Sequence, residues 1–173
     1  MPSPASSNVI GIHTMQRASS ATARALTGVF EMLADQHRQA LELLRRAGSV
    51  NNPAKRRQHW VEARRSLISH ERAEEQVVYA MLEGRRDAQS LLEQHGEQAV
   101  ELELTIADLE ATDTDSDEWV WRLRDLTAMV AEHVREEESD FFPRAQRFLG
   151  ENLARELEDP YVKAQREALE ALA

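Results

Sequence analysis

The chain has 173 residues, a length that suits one domain with its own core and is too short to expect two. Its 31 acidic and 21 basic residues give a net charge of −10, which argues against a nucleic-acid partner or an anionic membrane surface. Cysteine is absent, so disulfides are excluded and any metal must be bound through nitrogen and oxygen ligands.

The beginning of the chain shows no helical pattern. Residues 1–17 contain one short apolar run, Val9 to Ile12, and no cationic segment before it, which is not the pattern of a signal peptide. We therefore expect residues 1–17 to form a flexible arm. No apolar run approaches the ~20 residues that a membrane-spanning helix needs. These features predict a cytoplasmic protein.

Four long segments with helical periodicity follow. Helix 1 is expected over about residues 19–47, ended by Gly48 in the usual C-terminal position. Helix 2 should open at Asn52-Pro53, an N-cap followed by proline in the first turn, and end at Gly84.

Helices 3 and 4 are separated by a loop rich in capping residues. Helix 3 should begin near Asp87 and end before residues 112–116. Asp115 with Glu118 three residues later resembles a capping box that opens helix 4, and Pro143 should end or kink that helix.

The remaining residues, 144–173, are expected to form one or two short helices broken near Gly150 and Asp159-Pro160. No segment shows the alternation of a strand. The sequence predicts an all-α fold in which residues 18–143 form an up-and-down four-helix bundle with a C-terminal helical extension.

Each long helix places one histidine in its apolar stripe, and two of these histidines are followed four residues later by glutamate. Burying such groups without partners is costly, so a metal site is the simplest physical explanation. The candidate ligands are His37, His70, Glu74, His95, His133 and Glu137.

The spacing also predicts how many metals would be bound. In an up-and-down bundle helices 2 and 4 run parallel, so their two His-x-x-x-Glu pairs place both glutamates at one level and both histidines one turn away. Side chains four apart stand about 5–6 Å apart at Cβ. Two metals held by four imidazoles and two bridging carboxylates fit this arrangement. A ferritin-like site would need Glu-x-x-His pairs, but Leu67 and Val130 occupy those positions.

The stretches HERAEEQVVYAML and HVREEESDFFPRA, together with the order and spacing of the six residues, resemble the hemerythrin-like, or HHE cation-binding, family over about residues 20–150. The resemblance implies two non-haem iron ions bridged by carboxylates, used across the family for oxygen binding and for oxygen, iron or redox sensing. It assigns His37 and His70 to one iron, His95 and His133 to the other, and Glu74 and Glu137 to the bridge. Imidazole suits iron, copper, nickel and zinc alike, whereas bridging carboxylates in a pair with an open position favour iron or manganese. The identity of the metal therefore follows more from the resemblance than from ligand chemistry.

One position departs from the oxygen-carrying members. They have a further histidine one turn after the helix 3 ligand, where this chain has Ala99, and water or Glu71 is left as a replacement. Tyr79 lies outside the helix 2 stripe and is assigned no role, and His13 and His59 are not expected to be ligands.

The presence of Ala99 where the oxygen carriers have a histidine favours reactivity over stable oxygen carriage. We expect a small diatomic ligand or peroxide at an open iron position, in sensing or in oxidative or nitrosative stress defence. The alternative is an iron-binding interaction module that reports metal status to a partner without turnover. The pattern identifies no protein partner and leaves open whether the protein is an enzyme.

Overall fold

The computed structural model describes residues 25–172, and every regular element in that range is helical. Four long helices are followed by two shorter ones, and both even-numbered long helices contain a π-helical turn. The bounds are α1, Val29–Ser49; α2, Pro53–Glu74, π-helical Glu75–Tyr79 and Ala80–Leu82; α3, Gln89–Glu110; α4, Asp117–Glu136, π-helical Glu137–Phe141 and Phe142–Leu149; α5, Glu151–Glu156; and α6, Glu158–Ala171.

The helix starts follow their capping residues. The Asn52 side chain accepts from the backbone N–H of Lys55 at 3.1 Å, as the sequence predicts. Helix α4 is capped by Ser116, which accepts from the N–H of Trp119, so the prediction of Asp115 as the cap was wrong by one residue.

Helix α1 begins later than the sequence suggested. Residues 25–27 are not helical, and Gly28 has a φ of 61°, in a region that L side chains rarely adopt. A Cβ on Gly28 would lie 2.3 Å from the carbonyl oxygen of Ala154, so this position also needs glycine for the close approach of α5. The predicted arm, residues 1–17, lies outside the described residues.

The helices pack in a closed series: α1 contacts α2 and α4, and α3 contacts α4 and, more sparsely, α2. Helix α6 lies against α2. The apolar interior consists of two clusters, one around Phe30, Phe141 and Tyr161 and one around Trp60 and Trp119. On each long helix the histidine of the stripe falls between residues of the two clusters, so the polar groups form a layer with apolar packing above and below it.

The π-helical turns change which residues face the interior. The sequence predicts that Met81 continues the buried stripe of helix 2, but Met81 is 40% exposed. Val78 and Leu82 are buried instead, because the π turn holds one residue more than an α turn and rotates the following residues.

The end of the chain also differs from the prediction. The helix continues past Pro143, which occupies the first turn after the π-helical segment, where its missing N–H costs little. Gly150 separates α4 from α5, as expected, but the next break is at Leu157 rather than at Asp159-Pro160, which lie in the first turn of α6. In the described part of the chain, no helix combines the length and apolarity that crossing a membrane would need.

Candidate metal centre

The six candidate ligands form one buried layer between the two apolar clusters. None of the six residues is more than 7% exposed, and both glutamates are fully buried. One histidine comes from each long helix, and the two glutamates come from α2 and α4, where each directly adjoins or begins a π-helical turn. The structure therefore brings together all six residues: His37, His70, Glu74, His95, His133 and Glu137.

Glu137 is the centre of this layer. Its Oε2 lies 3.0 Å from Nε2 of His37, while its Oε1 lies 3.4 Å from Nε2 of His133 and 3.7 Å from Nδ1 of His95. None of these approaches has the directionality of a hydrogen bond to Glu137. Because the two oxygens face different histidine pairs, this carboxylate is placed to bridge two cations.

Two groups of donor atoms could each hold a metal ion. One consists of His37, His70 and Glu137, the other of His95, His133 and Glu137, and within each group the ligand atoms lie within 4.8 Å of one another. The Nε2 atoms of His37 and His70 are only 3.1 Å apart. Two lone pairs facing each other at that distance repel, whereas a cation between them would be bound by both.

Glu74 is the most unusual group in the layer. Its Oε2 lies 3.5 Å from Nε2 of His70, and neither oxygen has a hydrogen-bond partner among the described residues. Burial, with the nearby charge of Glu137, raises the pKa of the Glu74 carboxyl well above its usual value. Buried polar atoms without partners are rare and costly, so this carboxyl fits a site built to receive a cation.

The histidines differ in their affinity for protons. Burial, reinforced by neighbouring His37, lowers the pKa of His70 to about 4, and burial also lowers the pKa of His95. For His133, burial acts in the same direction, but the hydrogen bond with Glu71 and the charge of Glu137 outweigh it and raise the pKa to about 9. At neutral pH without metal, the His70 ring is therefore neutral, and the His133 ring is protonated on both nitrogens and positively charged.

Glu71 reaches the second histidine pair, although it is next to His70 in sequence. Its Oε1 lies 3.2 Å from Nε2 of His133, the atom that faces Glu137, and its side chain is 10% exposed. Ala99 is half-buried on α3, one turn after His95. The carboxylate of Glu71 thus lies on the side of the layer where the sequence suggested a missing ligand.

The outward nitrogens of three histidines also have partners. Nδ1 of His37 is 3.0 Å from Oε1 of Glu138, Nδ1 of His70 is 3.1 Å from Oε1 of Gln36, and Nδ1 of His133 is 3.4 Å from Oε1 of Gln98. Such contacts fix the tautomer and ring orientation of a metal-binding imidazole. Sequence reasoning missed these partners. Glu138 is exposed, as its position off the stripe predicts, but its carboxylate still reaches His37.

Two tyrosines lie next to the site. The ring of Tyr79 is 6.4 Å from that of His95, and its buried hydroxyl has no hydrogen-bond partner among the described residues. The sequence placed Tyr79 outside the stripe, but the π turn rotates it inwards. Tyr161, on α6, stacks edge-on against His70 with ring centres 6.5 Å apart, and burial raises the pKa of its phenol above its usual value.

Of the two histidines that were not expected to be ligands, His59 lies outside the layer and its Nδ1 is 3.7 Å from Oε2 of Glu62. His13 lies outside the described residues.

Comparison with known proteins agrees with this geometry. The family model described as hemerythrin HHE cation binding domain matches residues 28–145, a range that contains all six candidate ligands. No curated protein and no solved structure matches the chain.

Proposed function

Because this chain belongs to the hemerythrin HHE cation-binding domain family, we propose that it is a di-iron protein of the cytoplasm. In this proposal, its four long helices form an up-and-down bundle that holds two carboxylate-bridged iron ions. Their ligands would be O₂, peroxide or nitric oxide, and the protein would act in sensing or in oxidative or nitrosative stress defence.

The observation that carries the proposal is the position of Glu137 between two histidine pairs. Both groups that could hold a metal contain this one residue, and its two oxygens face opposite pairs. Glu74, fully buried and without a hydrogen-bond partner in the described range, is the second bridge. A single-metal site would leave one histidine pair and most of this buried charge without compensation.

The protein would use these residues asymmetrically. His37 and His70, both with outward nitrogens held by hydrogen bonds, form a well-ordered pair. His133 is paired with Glu71, which can take the place of the imidazole that Ala99 lacks. The single carboxylate of Glu71 would be displaced more easily than an imidazole, which makes this side the one open to exogenous ligands.

Bound iron would supply a pair of redox-active ions able to bind or reduce such ligands. The chain itself contributes the dry apolar packing on both sides of the layer, the four neutral nitrogen donors and the negative charge of the bridges.

Iron stoichiometry tests the dinuclear centre. After anaerobic reconstitution we expect about two irons per chain, and Glu137→Gln should reduce this number, because the bridge to both histidine pairs is lost. Glu132→Gln, on an exposed part of α4, is the control and should bind as much iron as wild type. One iron or less in wild type, unchanged by Glu137→Gln, would refute the dinuclear proposal.

Reactivity is tested separately. A pulse of O₂, peroxide or nitric oxide to the ferrous protein should change its visible absorption spectrum within the time of mixing and in a saturable way. If the protein binds two irons but shows no response to any of these reagents, the ligand proposal fails and the metal-reporting alternative remains.

A further inference from the structure

Helix α6 reaches the metal layer from outside the part of the chain that matches the family. The match ends at residue 145, whereas α6 spans Glu158–Ala171 and packs against α2. Its side chain facing the interior is Tyr161, which is fully buried. The tyrosine hydroxyl lies 3.2 Å from Nδ1 of His70.

The contact is part of a four-residue hydrogen-bond cluster. Tyr161 donates its O–H to Oε1 of Gln36 at 2.6 Å, and Nε2 of Gln165 donates to the same oxygen at 2.9 Å. In return, Nε2 of Gln36 donates to Oε1 of Gln165 at 3.0 Å. The same Gln36 oxygen is 3.1 Å from Nδ1 of His70.

The oxygen of the Gln36 amide, rather than its nitrogen, faces His70. The nitrogen of this amide is used by Gln165, and its oxygen receives the Tyr161 hydroxyl and the Gln165 amide, so the group facing His70 is a pure acceptor. Nδ1 of His70 must therefore be the protonated nitrogen of the neutral ring. The lone pair is then on Nε2, which faces His37 and the proposed metal.

We propose that Tyr161 is a positioning residue of the metal centre, acting with Gln165 through Gln36 to hold His70 in its metal-binding tautomer and orientation. This inference rests on the proposed function, since it assigns a role towards the same ligands. It makes α6 a part of the site, although α6 contributes no ligand. Partners of this kind for metal-bound histidines change metal affinity by about 10–100-fold when removed.

The docking of α6 on α2 should in turn depend on whether metal is bound. Binding free energies are reciprocal, so if the docked α6 favours metal binding, metal binding must favour docking of α6 by the same factor. Besides the cluster, α6 is attached to α2 by the hydrogen bond from Nη2 of Arg65 to the carbonyl oxygen of Leu169. Amide hydrogen exchange along α6 should therefore slow when metal is added, beyond any change in α3.

The test compares two buried tyrosines that differ in their hydrogen bonds. Tyr161→Phe removes a hydroxyl bonded to Gln36, and Tyr79→Phe removes a hydroxyl that lacks a partner in the described range. Both keep the ring. With Co²⁺ as the probe, affinity is measured by competition with a chelator, ligand geometry by visible absorption, and stability by melting of the metal-free protein.

We expect Tyr161→Phe to weaken Co²⁺ binding by about tenfold and to change the visible spectrum, whereas Tyr79→Phe should remain within about twofold of wild type. Gln165→Leu, which leaves Tyr161 in place, should weaken binding in the same direction. Hydrogen exchange in α6 should respond less to metal in Tyr161→Phe than in wild type.

Three results would overturn the inference. The first is wild-type affinity and spectrum in Tyr161→Phe, and the second is a lower melting temperature of the metal-free variant without any change in affinity, which would make the role purely structural. The third is an equal loss in Tyr79→Phe. A wild-type protein that binds no Co²⁺ or iron would instead defeat the proposed function, and this inference with it.

Discussion

Glu74 should make the metal-free protein less stable, and replacing it with glutamine should reveal by how much. The carboxyl is fully buried, and neither oxygen has a hydrogen-bond partner in the described part of the chain. Glutamine has nearly the same size and shape but cannot ionise. Glu74→Gln therefore removes the titration and leaves the packing unchanged.

The magnitude follows from the raised pKa of Glu74. In the unfolded chain the carboxyl ionises with a pKa of about 4.3. Between that pH and the raised pKa, the folded metal-free protein binds one proton more than the unfolded chain, so this group makes stability fall as the pH rises. The loss is about 1.4 kcal/mol for each pH unit within the window.

Glu74→Gln should accordingly be more stable than wild type without metal, by an amount that grows as the pH rises above the unfolded-state pKa of about 4.3. A gain of about 1–3 kcal/mol corresponds to about 3–10 °C in melting temperature for a chain of this size. With iron the order should reverse, because the variant lacks a bridging ligand and gains less stability from metal.

The assay is thermal melting of metal-free and iron-loaded protein at several pH values. Glu75→Gln is the matched control, since Glu75 is the exposed neighbour of Glu74 and its replacement should change stability by less than about 0.5 kcal/mol. A metal-free Glu74→Gln protein that melts at or below the wild-type temperature throughout pH 5–7 would refute the reasoning.

Four further predictions concern other residues. Metal affinity should rise by up to about tenfold per pH unit from pH 7 to pH 9. The reason is that His133, with a pKa of about 9, must lose its proton before it can bind metal. Competition with a chelator across this pH range measures the affinity. Glu71→Gln should flatten that pH dependence, since the carboxylate is a main reason for the raised pKa. Ala99→His should weaken azide or nitric oxide binding, measured by optical titration, whereas unchanged binding in both Ala99→His and the bulky control Ala99→Leu would mean that this residue does not border the open position. Gly28→Ala should destabilise the fold by more than about 2 kcal/mol in denaturant titrations, and by more than Gly84→Ala, which combines a similar φ with open space.

Helical periodicity alone predicted that the six candidate residues would face the interior, and all six are buried. Each apolar stripe contains one histidine. Residues four apart lie on the same face of a helix, so His70 and Glu74, or His133 and Glu137, reach the same buried face. The family match covers the same residues. Those positions needed no knowledge of how the helices are arranged.

The rest of the site depends on contacts between helices, which periodicity does not encode. Glu71 lies beside one histidine in the sequence but pairs with His133 on another helix. Tyr161 is separated from Gln36 by 125 positions and contacts it only because α6 folds back onto α2. The sequence offered Glu71 only as one possible replacement for the missing ligand, and nothing in it distinguishes Tyr161 from an ordinary core residue.

The two π-helical turns have a consequence for how this bundle can vary. An α-helix advances by about 100° per residue, so the extra residue in Glu75–Tyr79 shifts the helical phase of everything after it by about that angle. The turn Glu137–Phe141 does the same in α4. The ligand layer lies beside both π-helical turns. The buried face of each helix before the layer is therefore rotated relative to its buried face after the layer. One apolar cluster can therefore change its packing angle without turning the ligands away from each other. Deleting one residue of Glu75–Tyr79, or one of residues 138–141, would rotate Leu82 or Phe142 out of the interior while leaving every ligand in place.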